Sequence, residues 1–247
     1  MTQHQVVMVA ERGYERVILV GDVHGCLEEL QQLLMKCEAT PERDLIILVG
    51  DLVNKGPNSV LQFVRRSPNM LSVRGNHDEA ALAAYVRWKN DEDVPEKYNY
   101  VKQFSSEDVE FLRDLPLTIT LPEYNVAVVH AGMVPGLALQ DQDPVLLTRM
   151  RFLERQEGST IDEIKWKALE KCQIENEATS LWAKQWKGPE HVYFGHDAKR
   201  GLQLEEFATG LDTGCCYGRS LTAAILPQKI LVSVEAKQVY SEPEIGL

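Results

Sequence analysis

Three apolar runs early in the chain each stop at a glycine followed by a side chain able to bind a metal. They are Arg16-Val-Ile-Leu-Val-Gly-Asp22, Asp44-Leu-Ile-Ile-Leu-Val-Gly-Asp51 and Met70-Leu-Ser-Val-Arg-Gly-Asn-His77. Between the first two, Leu27 to Cys37 carries Leu and Met at three- and four-residue steps, the spacing of one helix face. Ser59 to Arg66 can form a second helix, closed by Pro68, and the Ala-rich Glu79 to Trp88 a third. Short apolar runs alternating with helical segments predict a parallel βαβ sheet whose strands are buried on both faces, with right-handed crossovers.

The second half has another rhythm. Leu117 to Leu121 and Asn125 to His130 read as a hairpin around Pro122-Glu123, and Val192 to Gly195 as a short strand. Ala208 to Asp212, Leu221 to Leu226 and Lys229 to Val234 read as antiparallel strands, the last two joined at Pro227-Gln228. The charged stretch from Arg151 to Lys187 holds Trp166, Trp182 and Trp186, and is expected to be a helical cap. The fold class is therefore α/β shading into α+β: one domain over residues 1–247 with a helical insertion at 151–187.

Composition narrows the function. The 247 residues are 44% hydrophobic and 26% charged, enough for a sizeable core. No apolar run approaches the ~20 residues of a membrane span. Met1 to Arg12 does not read as a secretory signal, so the expectation is a cytoplasmic protein. Cys26, Cys37, Cys172, Cys215 and Cys216 are an odd set without Cys-x-x-Cys spacing, which argues against a disulfide framework or a cysteine zinc site. A net charge of −11 argues against an extended nucleic-acid surface. A small polyanion could still bind where metals concentrate positive charge. Lys199-Arg200, just past His196, is a short basic step that reads first as a solvated loop, with contact to a distal phosphate as the alternative. The oligomeric state is left open.

The strand ends carry the chemistry. The motifs are Gly21-Asp22-Val23-His24-Gly25, Gly50-Asp51-Leu52-Val53-Asn54-Lys55-Gly56-Pro57, Gly75-Asn76-His77-Asp78, His130-Ala131-Gly132 and Gly195-His196. Open α/β sheets build ligand sites at the carboxyl ends of their strands. Asp22, His24, Asp51, Asn76, His77, His130 and His196 are therefore expected in one crevice. Carboxylate oxygen and imidazole nitrogen suit Mn, Fe, Co or Zn, and two such ions side by side are a recurring device for displacement at phosphorus. No Gly-x-Ser-x-Gly elbow and no Walker A loop is found.

In that order these motifs resemble the calcineurin-like metallophosphoesterases, and within them the phosphoprotein-phosphatase branch with its GDxHG, GDxxxRG and GNHE signatures. The resemblance runs from Val17 to about Leu226. His130-Ala-Gly-Met-Val-Pro, Thr148-Arg-Met-Arg-Phe and Leu211-Asp-Thr-Gly-Cys-Cys-Tyr-Gly-Arg-Ser-Leu-Thr more closely resemble the symmetrical diadenosine tetraphosphatases of the ApaH type and their ApaH-like relatives. The resemblance implies a β-sandwich of mixed sheets flanked by helices. It implies two divalent ions, manganese first, held by Asp22 and His24 on one side and by Asn76, His130 and His196 on the other, with Asp51 bridging. His77 matches the general acid, and Arg149 with Lys55 the phosphate clamp, Arg151 lying beside it. The implied reaction is attack by a metal-bridging hydroxide on a phosphoanhydride, foremost a dinucleoside polyphosphate. Protein serine/threonine phosphatase, polyphosphatase and cleavage of capped RNA are the alternatives.

Two positions depart from the branch. Protein phosphatases have Asp where Asn54 stands, so His77 is expected to rely on a neutral hydrogen bond to Asn54, or to borrow Asp78. Lys55 replaces an arginine, giving a point charge in place of a planar fork.

Overall fold

The computed structural model describes residues 3–57, 60–159, 164–171 and 174–243. Cys172 and Ser59 lie outside them.

Two sheets face each other. One has five strands in the order β14-β13-β2-β3-β4: β2 is Arg16–Val20, β3 Asp44–Leu48, β4 Met70–Ser72, β13 Ser220–Leu226 and β14 Ile230–Glu235. The other has six, β1-β5-β6-β10-β12-β11: β1 is His4–Val6, β5 Thr118–Leu121, β6 Val126–Val129, β10 His191–Phe194, β11 Gln203–Leu204 and β12 Ala208–Gly210. As expected, β2, β3 and β4 are parallel, and β5 with β6 and β13 with β14 form antiparallel pairs.

Alternation along the strands explains the layers. Val17, Leu19, Leu45 and Ile47 point between the sheets and meet Ile119, Leu121, Val126, Val128 and Tyr193. Their neighbours Ile18, Val20, Ile46 and Leu48 point outward, under α1 (Leu27–Lys36), α2 (Val60–Arg66), α3 (Asn76–Lys89) and α4 (Ser106–Asp114). With side chains alternating by two, a strand covered on both faces must be apolar throughout, as β2 and β3 are. The outer face of the six-stranded sheet packs Ala127, Val129, Val192 and Phe194 against Met133, Leu147 and Trp182. Helices α5 (Pro144–Arg149) and α6 (Trp182–Gln185) lie on that side.

Two expectations are corrected. Among the described residues, 151–187 is not a helical cap. It forms a small antiparallel sheet, β8-β7-β9, with β7 Phe152–Arg155, β8 Trp166–Leu169 and β9 Thr179–Leu181, followed by the single turn α6. Glu154 and Lys167 pair across strands at 3.4 Å on the face that also carries buried Phe152. Leu153, on the opposite face, is buried too, as are Leu181, Trp182 and Trp186. The second correction concerns β12, which runs parallel to β10 and antiparallel only to β11. Residues 195–207 are long enough for the dozen or so residues a parallel return requires.

Candidate active site

Parallel strands end at the same edge, and here both sheets use that edge. Asp22 and His24 follow β2, Asp51 follows β3, and Asn76 and His77 open α3 just after β4. In the other sheet β6, β10 and β12 are parallel, so His130, His196 and Asp212 leave from matching ends. His24, Asp51, Asn54, Lys55 and His196 have φ of 47°, 54°, 75°, 67° and 69°. Each such non-glycine conformation costs about 1–3 kcal/mol, and their grouping marks a site over-determined by its surroundings. Two glycines permit the crowding. A Cβ on Gly75 would overlap the Asp51 carboxylate, and one on Gly195 would overlap that of Asp22.

The hydrogen bonds fix which ring atom each histidine offers. His130 Nδ1 lies 2.8 Å from the Val49 carbonyl, so it donates there and Nε2 keeps a lone pair. His24 is alike: Nδ1 faces the Val53 carbonyl at 3.3 Å and Nε2 faces the Asp51 carboxylate at 3.4 Å. His196 is reversed, with Nε2 donating to the Arg149 carbonyl at 3.0 Å and Nδ1 left bare. Asn76 Oδ1 then sits 3.0 Å from His130 Nε2 and 2.9 Å from His196 Nδ1. In the neutral rings no proton lies between these three acceptors. Asp51 Oδ1 is a fourth acceptor, 3.5 Å from His130 Nε2.

The rings are neutral because they are buried. Burial, then the Lys55 charge, holds His24 well below the ordinary imidazole range. Burial, then the Arg151 charge, does the same to His196. Burial lowers His130 to about 4. Burial with the neighbouring carboxylates Asp212 and Asp51 raises Asp22, and burial raises Asp51 and Asp212. Converging lone pairs on neutral imidazoles beside crowded carboxylates are what divalent cations require of a protein. The groups Asp22–Asp51–His130 and His24–Asp51–His77 each bring ligand atoms within 4.8 Å of one another and share Asp51.

His77 differs from the sequence reading. Asn54 Oδ1 accepts the Lys55 backbone N–H at 2.9 Å, which turns the amide nitrogen toward His77 Nδ1, also at 2.9 Å. Asn54 therefore donates to His77, and the neutral ring keeps its proton on Nε2. Burial, then the Lys55 charge, lowers His77 to about 2. Asp78 is no catalytic partner either. It is fully buried, and its oxygens accept the backbone N–H groups of Asp51, Leu52 and Gly75, each at 2.9 Å. It clamps two ligand loops together.

Arg149 lines the cavity above the ligands, and its Nε has no hydrogen-bond partner among the described residues. Arg151 lines it too, but spends Nη1 on the Glu170 carbonyl at 2.9 Å and Nη2 on the His196 carbonyl at 3.2 Å, so it braces the His196 loop. Lys55 Nζ reaches the Tyr217 hydroxyl at 2.8 Å and His24 Nε2 at 3.3 Å. Lys199 lines the cavity, while Arg200 lies over the Phe152 ring. Asp212, Tyr217, Lys97 and Arg219 also line it and were missed in the sequence. Asp212 follows a strand end like Asp22 and Asp51 and could have been found by that rule; Tyr217 lies in the quoted Leu211–Thr222 motif without a role assigned to it, and nothing in the sequence singles out Lys97. Cys26 and Cys215 approach Glu29 in the core, and the Cys215 thiol, raised by its hydrogen bond to Cys26 and by burial, stays protonated.

A sandwich with carboxylates, imidazoles and arginine gathered over its strand ends is the framework of a metal-dependent phosphohydrolase. The calcineurin-like phosphoesterase family matches residues 15–211, and the chain belongs to that family, whose members are hydrolases using divalent metals. A symmetrical bis(5'-nucleosyl)-tetraphosphatase from Shewanella frigidimarina is 30% identical over 256 residues, covering 82% of this chain and 92% of that protein. A crystal structure assigned as a diadenosine tetraphosphatase superposes with a TM-score of 0.81 at 34% identity, covering 96% of this chain and 99% of the other. A protein serine/threonine phosphatase from Saccharomyces cerevisiae shares the fold, with a TM-score of 0.57, 14% identity, and coverage of 99% of this chain and 86% of that one. No helix among the described residues is long and apolar enough to cross a membrane.

Proposed function

We propose that this enzyme hydrolyses dinucleoside polyphosphates, splitting diadenosine tetraphosphate symmetrically into two molecules of ADP. The observation that carries the reading is the make-up of one cavity of about 430 Å³. It is lined by Asp22, His24, Asp51, Asn76, His196 and Asp212, by the cations Lys55, Lys97, Arg149, Arg151, Lys199 and Arg219, and by Glu170 and Asp197. In a chain of net charge −11, that concentration of cations beside metal-binding groups suits a compact polyanion.

Asp22 and His24 would hold one ion, Asn76, His130 and His196 a second, with Asp51 between them; manganese is the first candidate and cobalt, zinc or iron the alternatives. Bound there, the ions would supply Lewis acidity toward the phosphoryl oxygens and lower the pKa of water to about 7. Arg149 and Lys55 offset charge on the phosphoryl group, the electrostatic part of catalysis. His77 presents the Nε2 proton to the departing oxygen. A neutral imidazole donates a hydrogen bond but keeps its proton, which suits an anhydride whose leaving oxygen departs as a stable anion and suits a serine phosphate less.

The test sets diadenosine tetraphosphate, inorganic polyphosphate, capped RNA and a phosphoserine peptide side by side, each with manganese, cobalt, zinc and iron. ADP from the dinucleotide as the fastest reaction is expected. Faster release of phosphate from the peptide would overturn the reading.

A further inference from the structure

Next to the metal-binding cavity lies a second one of about 500 Å³, within the range of small-molecule sites. The two share Lys55, His77, Lys97 and Tyr217 as a common wall, so they are two chambers of one cleft. Their chemistry differs. The second chamber has none of the metal-binding carboxylates; it is walled by Tyr100, Phe104 and Tyr217, with Gln103 at its rim. Tyr100 and Phe104 stand edge to face, their centroids 5.8 Å apart, at the end of the 3₁₀ segment Glu96–Gln103 that leads toward α4. The Tyr100 hydroxyl oxygen is buried and has no hydrogen-bond partner among the described residues.

We propose that this chamber seats the nucleoside of the half of the substrate that departs. The inference rests on the hydrolase reading above and goes further by assigning a base site. Aromatic faces accept any base by stacking. The Gln103 amide offers a donor and an acceptor to a base edge, while Lys55 and Lys97, on the shared wall, meet the phosphates that join the nucleoside to the scissile bond. An inorganic polyphosphate has no use for an aromatic wall. His77 on that wall sets the direction. The P–O bond to the departing nucleoside diphosphate breaks with its electron pair left on the departing oxygen, the oxygen of water stays on the phosphorus over Asp51 and Asn76, and His77 Nε2–H donates a hydrogen bond to the departing oxygen. The proton lost by water passes to the departing diphosphate or to solvent. The departing half therefore lies on the His77 side, in the aromatic chamber, and the retained half extends toward Lys199 and Arg219.

The experiment compares the manganese-loaded full chain with Phe104→Ala, Gln103→Ala and the milder Tyr100→Phe, by calorimetric titration with ADP and with inorganic pyrophosphate. Phe104→Ala is expected to weaken ADP about 10-fold, as loss of one stacking face does, with pyrophosphate binding within about twofold of wild type. Gln103→Ala should weaken ADP by a smaller factor in the same direction, and Tyr100→Phe, which keeps the ring, should leave it within about twofold. Equal losses for both ligands, or unchanged ADP affinity in all three variants, overturns the assignment. Turnover is read separately. A wild-type enzyme that leaves diadenosine tetraphosphate intact defeats the hydrolase reading, while the ADP titration still decides the base site.

Discussion

The two sheets hold their shares of the site by different means. In the five-stranded sheet the ligand loops run straight into packed helices. His24 precedes α1, Asn76 is the first residue of α3, and Asp78 in the first turn of α3 ties the Asp51 and Gly75 loops together through three backbone N–H groups. In the six-stranded sheet no helix follows directly after His130 or His196. Their positions come from bonds that cross the sandwich or reach another segment. His130 Nδ1 donates to Val49, the His196 N–H donates to the Asp22 carboxylate at 3.0 Å, and Arg151 braces the His196 carbonyl. One half is organised locally and the other is built upon it. Substitutions in the first half should therefore disturb both ion positions, and substitutions in the second half one.

Asp51 tests this most severely, because its carboxylate faces His24 at 3.4 Å and His130 at 3.5 Å, one from each sheet. Asp51→Asn keeps the shape and removes the shared charge. Turnover is expected to fall more than about 100-fold, beyond the range seen when only an outer partner of a ligand is lost. Metal content measured on the purified variant should drop below two ions per chain. Near-normal turnover, or two ions retained at wild-type affinity, would break the comparison at its centre.

Arg151→Ala sharpens the comparison from the other side. It leaves every expected ligand in place and removes the brace on the His196 carbonyl. Turnover and affinity for the second ion should fall about 10-fold, the lower end of what outer partners contribute, while the first ion binds as before. Stepwise metal titration of the chelated protein reads the two affinities. Equal weakening of both ions would mean that the His196 loop is not held independently.

The same contrast explains what the sequence discloses. Asp22, His24, Asp51, Asn76 and His77 lie in short motifs at the ends of apolar runs, and parallel strands place such ends together by geometry alone. His130 and His196 follow the same rule. Asp78 breaks it: next to His77 it looks like a catalytic partner, and only burial and the three N–H groups it accepts reveal a clamp. The segment 151–187 misleads for a different reason. Its charges fall on both faces of a small three-stranded sheet, beside buried Phe152 and Leu153, and such short strands with long polar side chains have no period distinct enough to set them apart from a surface helix. Tyr100 and Phe104 are neighbours at the end of the 3₁₀ segment, but Tyr217 is far from them in sequence and lines the same chamber only in the folded chain.

Asn54 bears on the smallest expected effect, confined to the five-stranded half. Its amide donates to His77 Nδ1, and a ring lowered to about 2 stays neutral across any working pH. The wild-type rate profile should then show no ionisation of His77 between about pH 5 and 9, where an unperturbed imidazole would titrate near 6.5. Asn54→Asp reverses the polarity of that contact. A carboxylate accepts a proton from Nδ1 and favours the imidazolium, so the His77 pKa rises. The sign follows directly: the added acid form is present below the new pKa and lost as pH climbs through it. Hydrolysis of a phosphomonoester with an alkyl leaving group, which needs that proton, should gain a few-fold at the acid end of the profile. The tetraphosphate rate, which needs it less, should stay within about twofold. If both substrates respond alike, His77 does not serve the leaving oxygen, and the Asn54 contact has only a structural role.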